Sequence, residues 1–329
     1  AAKDAGPFNW GSTVWHELAH TFTLGSTDHR VPRWFSEGLS VWEEHHARLG
    51  WGASMSPGFL DAYRQGKLVP VSRMNDGFTR PTYPEQVGHS YYQASLVCDL
   101  IVKQWGEQAL VALLAEYRAG RTTDEAFLKV TGLSMAAFDK RFDEYMRERF
   151  GAALAALADR GPEYPAGMSP AQLLAKADSS PRSYRAQFLA GTALLKAGRR
   201  DDAIRVFERA HALIPAYGGE DWPAARLAAL YRERHDDARA AEMLKVVVAA
   251  DESAYQANAD LAALLLAQGD TAGAMEAMER AVYINPFAPE MHAALAALAA
   301  LRGDHVRRDR KSTRLNSSHI PLSRMPSSA

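Results

Sequence analysis

Residues 12–24 read STVWHELAHTFTL and predict the first helix of the chain. Val14, Leu18 and Phe22 recur at every fourth position, which is the spacing of one apolar face of an α-helix. Gly25 follows and is expected to end the helix. We therefore predict a helix over residues 12–24 whose apolar face packs into the core.

The letters HELAH inside this helix have the spacing of a metal site. His16 and His20 lie about 40° apart around the helix axis, away from the apolar face, and Glu17 lies beside them. Two imidazoles one turn apart can bind a single Zn²⁺, and the carboxylate can take a proton from a water that the metal activates. Alternatively, both histidines are ordinary surface or capping residues, or Asp28 and His29 in the following loop act as ligands.

A third ligand is expected on the next predicted helix. A metzincin-type site is excluded, because its pattern requires Gly and His where this chain has Thr23 and Ser26. Residues 34–39 instead read WFSEGL, and Glu37 follows His20 by 17 residues. A helix-loop-helix of this length can fold back, so that Glu37 completes a site of two histidines and one glutamate with a fourth position open for water.

The HExxH pattern followed by W-x-x-E-G resembles the gluzincin zinc metallopeptidases, and most closely the bacterial peptidase MA-like domains. The resemblance implies a hydrolase that cuts a peptide or protein substrate with Zn²⁺ as its cofactor. By this match His16, His20 and Glu37 are the metal ligands and Glu17 is the general base.

A second match to this family lies in residues 89–95, which read HSYYQAS. Aminopeptidase-like gluzincins have a similar Tyr-x-Lys-Gly-Ala segment, whose tyrosine hydroxyl stabilises the oxyanion. The register gives this catalytic role to Tyr91, with Gln93 in place of the lysine. Tyr92 is the alternative, and a tyrosine at such a position can also be a packing residue.

The resemblance to thermolysin-like enzymes is incomplete. Those enzymes have an aspartate four residues after the third ligand, where it orients a histidine ligand, and this chain has Val41 there. Glu44, seven residues after Glu37, lies on the same helix face and can orient a ligand instead. Glu44 can equally belong to a solvent-exposed polar face with His45 and His46, and the sequence slightly favours that interpretation.

The chain opens AAKDAGPFNW, without an initiator methionine and without the basic and apolar segments of a signal peptide. In gluzincins a β-sheet, whose edge strand aligns the substrate, usually precedes the HExxH helix. We therefore expect a truncated catalytic domain, with peptidase activity in a longer bacterial parent rather than in this fragment. The compartment is not predicted from the sequence, although the resemblance suits the bacterial envelope or periplasm.

The segments that follow are also mostly helical in pattern. Residues 51–88 are rich in Gly, Pro and Ser, and predict an irregular stretch with one short helix near residues 59–64. Further helical patterns cover residues 33–49, 91–105, 107–118, 123–129 and 134–150. The peptidase MA-like domain is thus assigned to residues 1–150, and residues 151–181 to a linker with one helix that starts at Ser169.

Residues 182–308 are assigned to an array of helical repeats. Ala203, Ala238 and Ala274 lie in similar strings at intervals of 35 and 36 residues. The pattern resembles the tetratricopeptide repeat, with a period of about 34 residues and small residues where paired helices meet. We expect at least three helix pairs, whose concave surface can bind a protein partner. A generic alanine-rich bundle is the alternative.

The last segment, residues 309–329, contains the strings DRKSTRLNSSH and SRMPSSA. Both resemble the in-frame translation of a widely used sequencing-adapter oligonucleotide. We therefore expect this segment not to be native and exclude it from the fold.

Composition limits the remaining possibilities. The 329 residues include 38 basic and 39 acidic residues, a formal net charge of −1, which gives no electrostatic attraction to nucleic acid. Apolar runs such as residues 261–267 are far shorter than the roughly 20 residues of a membrane span. Cys98 is the only cysteine, so an internal disulfide and a cysteine-ligated metal are excluded.

The sequence therefore predicts a mainly α protein, in which a truncated gluzincin catalytic domain is followed by an α-solenoid of tetratricopeptide-like helix pairs. The predicted function is zinc-dependent hydrolysis of peptide bonds. The alternative is a non-catalytic scaffold, in which the repeats bind a protein partner and the peptidase-like domain is vestigial.

Overall fold

The computed structural model of the chain describes residues 8–48, 50–165, 167–215 and 222–301, and every regular element in these ranges is a helix. The helices are α1 (Trp10–Ser26), α2 (Arg33–Ala47), α3 (Pro57–Arg64), α4 (Met74–Thr79), α5 (Gln86–Trp105), α6 (Gln108–Arg118), α7 (Thr123–Thr131), α8 (Met135–Ala158), α9 (Pro170–Ser179), α10 (Tyr184–Lys196), α11 (Arg200–Leu213), α12 (Pro223–Glu233), α13 (Asp237–Ala250), α14 (Tyr255–Ala267), α15 (Thr271–Ile284) and α16 (Pro289–Leu301). The predicted mainly α fold is confirmed. None of these described helices combines the length and the apolar character that crossing a lipid bilayer requires.

The chain divides into two compact units. Among the described residues, one unit lies within residues 12–251, and the other combines residues 8–11 with residues 252–301. The assignment of residues 1–150, 151–181, 182–308 and 309–329 to separate segments remains a prediction. Residues 302–329, which include the adapter-like strings, lie outside the described part of the chain.

Helix α5 is the centre of the larger unit. Residues from Ala94 to Ile101 are almost all inaccessible to solvent, and α2 packs along this helix. Gly38 in α2 permits this contact, because a Cβ at this position would lie 2.8 Å from the carbonyl oxygen of Ala94. The backbones of α2 and α5 are thus in close contact at Gly38, the residue that follows Glu37.

The orientation of α1 differs from the prediction. Val14, Leu18 and Phe22 are exposed, at 57%, 45% and 69%, so the expectation that this face enters the core is wrong. The side of α1 that is buried instead carries Ser12 and Thr23, at 9% and 5% exposure. Hydrogen bonds to α2 satisfy these hydroxyl groups, and burial of a satisfied polar side chain costs little. The helix also continues through Gly25 to its end at Ser26.

The segment predicted to be irregular contains more helix than expected. Helix α3 confirms the short helix near residues 59–64, but a 3₁₀ turn at Val71–Arg73 and helix α4 were not predicted. Val71, Met74 and Phe78 are buried in the same core as α5, which stabilises these short elements. Within α4 the residue Gly77 contacts Ser90 closely, so this glycine serves packing rather than a turn.

Helix α9 begins as predicted. The Ser169 hydroxyl accepts from the backbone N–H of Gln172, and the Gln172 side chain accepts from the backbone N–H of Ser169. This reciprocal capping box satisfies two N–H groups that a helix start leaves without partners.

Helices α10 to α15 form three consecutive pairs, each joined by a three-residue connection. The first two pairs, α10 with α11 and α12 with α13, lie in the larger unit, and α14 with α15 lies in the other. Small residues allow the close approach within a pair. A Cβ on Gly191 of α10 would lie 2.7 Å from the ring of Phe207 in α11.

The register of the middle repeat differs from the prediction. Ala238 is exposed, and Ala240 is fully buried instead. Ala203, Ala240 and Ala274 each lie four residues after the N-cap of their helix and are all fully buried. Because Ala240 shares both the burial and the position of the other two alanines, it is the equivalent residue, and the intervals are 37 and 34 residues.

Candidate metal centre

Three side chains from α1 and α2 converge on one point. Nε2 of His16 and Nε2 of His20 lie 3.3 and 3.2 Å from the same oxygen, Oε2 of Glu37. The three potential ligand atoms all lie within 4.8 Å of one another. Two imidazole nitrogens and one carboxylate oxygen are a donor set that suits Zn²⁺ and leaves a position for a fourth ligand.

The turn between α1 and α2 folds the second helix back on the first. Thr27 is fully buried, and its hydroxyl donates to the backbone oxygen of Thr23 at 2.7 Å. Asp28 and His29 take left-handed conformations, with φ of 51° and 59°, in the exposed turn itself. The structure does not bring these two residues into the cluster.

A buried carboxylate holds the second nitrogen of His16. Nδ1 of His16 lies 3.1 Å from Oε2 of Glu44, and the Ser12 hydroxyl donates to the other oxygen of Glu44. Glu44 is only 5% exposed, so its assignment to a solvent-exposed face is wrong. When Nδ1–H of a neutral His16 donates to Glu44, the lone pair of Nε2 is directed at the cluster, as a metal ligand requires.

The charge on these neighbours changes the acidity of His16. Burial lowers its pKa, but hydrogen bonds and charge from Glu37 and Glu44 outweigh burial and raise the pKa to about 9. In the metal-free protein His16 is therefore a cation at neutral pH, held between two carboxylates.

Hydroxyl groups hold the second nitrogen of His20. Nδ1 of His20 lies 2.8 Å from the Ser36 hydroxyl and 3.3 Å from that of Ser40. Thr23 completes the network, with its hydroxyl 2.7 Å from that of Ser36. All three hydroxyl residues are buried. The two histidines are thus oriented by different chemistry, a carboxylate for His16 and neutral hydroxyls for His20.

This hydroxyl network was missed at the level of sequence, although a signal was present. Arg33, Ser36, Glu37, Ser40 and Glu44 recur at spacings of one, three or four residues, and the residues between them up to Trp42 are apolar or glycine. Such a polar stripe on a buried helix indicates a face that makes specific hydrogen bonds.

Glu37 is an ionised carboxylate in this environment. Burial raises its pKa, but hydrogen bonds from His16, His20 and Arg33 outweigh burial and hold the pKa well below its usual range. Oε1 accepts from Nε of Arg33 at 3.2 Å, while Oε2 faces both histidines. A deprotonated carboxylate is the form that binds a metal ion.

The two predicted catalytic residues differ in their surroundings. Glu17 is exposed and makes no hydrogen bond or ion pair within the described part of the chain. Tyr91 is half-buried, with its ring centroid 6.2 Å from that of His16. Burial raises the pKa of Tyr91, and the negative charge of Glu37 raises it further, so its hydroxyl remains a hydrogen-bond donor.

The structure distinguishes Tyr91 from its neighbours. Tyr92 is buried and packs edge-on against Phe59, with ring centroids 4.9 Å apart. Gln93 is also buried, and its Nε2 donates to the backbone oxygen of Val69 at 2.7 Å. Only Tyr91 of this segment contacts a residue of the cluster.

Two segments of the chain match the sequence models of known protein families. Residues 4–148 match the sequence model of the Peptidase MA superfamily. The chain therefore contains a Peptidase MA superfamily domain. Residues 255–287, which cover α14 and α15, match the model of a tetratricopeptide repeat. No curated protein matches the chain.

Several solved structures align with about half of the chain. The alignment with a crystal structure of MamA covers 45% of this chain and 85% of the MamA chain, with 15% sequence identity and a TM-score of 0.36. The alignment with MamA from Desulfovibrio magneticus RS-1 covers 46% of this chain and 85% of that MamA chain, with 22% sequence identity and a TM-score of 0.32.

Proposed function

We propose that the Peptidase MA domain is a zinc-dependent metallopeptidase, in which His16, His20 and Glu37 hold the metal. The observation that carries this proposal is the convergence of both histidine Nε2 atoms on one oxygen of Glu37. The buried partners on both Nδ1 atoms support it further, since such partners fix the orientation of metal-binding histidines. Nε2 of His16 carries a proton at neutral pH in the metal-free protein, and loss of that proton frees the nitrogen for the metal.

When held by His16, His20 and Glu37, the ion would supply Lewis acidity for a scissile carbonyl and for the water that acts as nucleophile. Glu17 is the general base: its exposed carboxylate accepts the proton of that water and passes it to the leaving amine. Tyr91 donates a hydrogen bond from its hydroxyl to the negative charge that develops on the carbonyl oxygen.

The remaining residues keep the ligands in place. Glu44 and Ser36 hold the two imidazole rings, so that little orientational freedom is lost when metal or substrate binds. Arg33 keeps one oxygen of Glu37 engaged and leaves the other for the metal.

A second function is favoured by the tetratricopeptide match at residues 255–287. Tetratricopeptide helix pairs stack into surfaces that bind peptides or proteins. We propose that the repeats bind a protein partner, either alone or to bring a substrate to the peptidase domain.

The peptidase proposal is tested with the zinc-loaded full chain and the variant Glu17→Gln on a library of internally quenched peptides. We expect Glu17→Gln to retain zinc and to lose turnover by about 10²-fold to 10⁴-fold, because only the proton acceptor is removed. Glu43→Gln makes the same change of charge on α2 and should cleave as the unmodified chain does. Turnover that survives Glu17→Gln would remove Glu17 from the mechanism, and retention of zinc without any cleavage would favour the scaffold function.

A further inference from the structure

Arg33 lies at the edge of the candidate metal centre. It is the first residue of α2, one turn before Glu37, and its Nε donates to Oε1 of that glutamate. The other oxygen of the same carboxylate faces His16 and His20. Within the described ranges, Arg33 is the only lysine or arginine that forms an ion pair with a member of this cluster.

Two aromatic residues hold the Arg33 guanidinium in place. Its central carbon lies 5.6 Å from the ring centroid of Phe78, and Phe78 packs edge-on against Tyr91 with centroids 5.1 Å apart. The Tyr91 hydroxyl also interacts with the guanidinium. The Arg33 side chain is nevertheless 53% exposed. It is thus a cation that is fixed by its neighbours and still accessible from solvent.

Helix stability does not explain this placement. A positive charge in the first turn of a helix opposes the helix dipole. The pair with Glu37 has its basic residue first, which is the less favourable order for residues four apart. Half-exposed ion pairs also contribute little to stability. An arginine at this position therefore has a cost to the fold that a role in binding would offset.

We propose that Arg33 binds a carboxylate of the peptide substrate, close to the bond that is cleaved. This inference rests on the proposed peptidase function. A guanidinium has five N–H donors in a planar fork, of which Glu37 uses one, so a pair remains for the two oxygens of a carboxylate. The Tyr91 hydroxyl is a further donor beside it. The carboxylate is either an Asp or Glu side chain or the free C-terminus of a peptide.

The test measures binding in the zinc-loaded full chain that carries Glu17→Gln, so that peptides bind without being cleaved. Fluorescence anisotropy compares labelled peptides that differ only by Glu or Gln, all with amidated C-termini. A second pair differs only by a free or an amidated C-terminus. We expect one of the carboxylate peptides to bind about tenfold more tightly than its neutral partner, the size of a charge-assisted contact. The pair that shows this difference identifies the source of the carboxylate.

Variants at Arg33 decide whether this residue is the cause. Arg33→Gln should abolish the difference within each pair, and Arg33→Lys should restore part of it, because lysine keeps the charge without the fork. Arg30→Gln removes a nearby charge that donates to the backbone of Arg118, and it should keep the full difference.

Each other outcome has a distinct meaning. Equal binding of charged and neutral peptides by a chain that retains zinc overturns the role of Arg33 but not the peptidase function. A difference in affinity that survives Arg33→Gln has the same meaning. Loss of zinc in Arg33→Gln with an unchanged difference would make Arg33 a positioning residue for Glu37 and also overturns it. Absence of both zinc and peptide binding in the unmodified chain would overturn the proposed function itself.

Discussion

Gly38 of α2 lies directly against Ala94 of α5, so closely that a methyl group on Gly38 would be 2.8 Å from the Ala94 carbonyl oxygen. This contact has a functional consequence, because Gly38 follows Glu37 and Ala94 follows Tyr91 by one turn. The glycine of the W-x-x-E-G motif therefore lets α5 approach and brings Tyr91 to the candidate ligand. The backbone conformation at Gly38 is one that other residues also adopt, so the close packing against Ala94 is the reason for a glycine here.

Replacement of Gly38 by alanine should destabilise the chain by about 1 to 3 kcal/mol, since the obstacle is backbone and cannot rotate away. Chemical denaturation monitored by circular dichroism measures this change. Gly88→Ala is the matched control, because Gly88 lies in α5 with open space around it. That variant should be neutral or more stable by up to about 1 kcal/mol, the gain in helix propensity. Equal destabilisation by both would contradict the packing argument.

The partners of the histidines should control metal affinity. Glu44→Gln and Ser36→Ala should each weaken zinc binding by about 10-fold to 100-fold, because each loosens the orientation of one imidazole. Competition with a chromophoric chelator gives the affinities, measured above the His16 pKa of about 9, where a proton on this histidine no longer competes with zinc. Glu43→Gln changes the neighbouring carboxylate, which forms no hydrogen bond or ion pair with His16, His20 or Glu37 in the described part of the chain, and it should leave the affinity unchanged. An unaltered affinity in Glu44→Gln would show that His16 needs no fixed partner.

Zinc affinity should rise with pH because of His16. Its pKa of about 9 in the metal-free protein means that a proton must leave before the metal binds. The apparent affinity should therefore increase about tenfold per pH unit between pH 7 and pH 9, and level off above that. Glu44→Gln removes one of the charges that raise the pKa, so its affinity should level off at a lower pH. A pH-independent affinity across this range would exclude a protonated His16.

The corrected repeat register makes opposite predictions for two nearby alanines. Ala240 is fully buried and Ala238 is exposed. Ala240→Trp should overpack the second helix pair and destabilise the chain by about 1 to 3 kcal/mol or more. Ala238→Trp should have little effect on the free energy of unfolding. If Ala238→Trp were the more damaging change, the original alignment would be correct.

The candidate metal ligands could be predicted from the sequence because they lie close together along the chain. The letters HELAH fix two imidazoles on one helix face, and the helix-loop-helix length restricts where Glu37 can lie. Glu44 could not be assigned in this way. Its sequence neighbours His45 and His46 slightly favour a solvent-exposed polar face. Only the packing of α1 on α2 shows that Glu44 is buried.

The burial of α1 could not be read from periodicity. Val14, Leu18 and Phe22 define an apolar side, but periodicity does not reveal whether another element covers it. The opposite side enters the interior because Glu44 and Ser36 supply partners for its polar groups.

The repeat register shows a second limit. The letters DDA occur at residues 201–203 and again at residues 236–238, and they suggested equivalent positions. The N-cap falls two residues earlier in the first string than in the second, so identical letters face different directions. Cap position rather than local identity sets the register of short helices.

We expect His16, His20 and Glu37 to bind one zinc ion, and the zinc content of the purified chain decides whether they do. The full chain and the variants His16→Ala, His20→Ala and Glu37→Ala are loaded with zinc, dialysed, and measured by inductively coupled plasma mass spectrometry. Circular dichroism verifies that each variant is folded. We predict about one zinc per unmodified chain and less than about a tenth of that in each variant, as expected for a site with three protein ligands. A folded unmodified chain that retains no zinc, or a variant that retains a full equivalent, would contradict the claim.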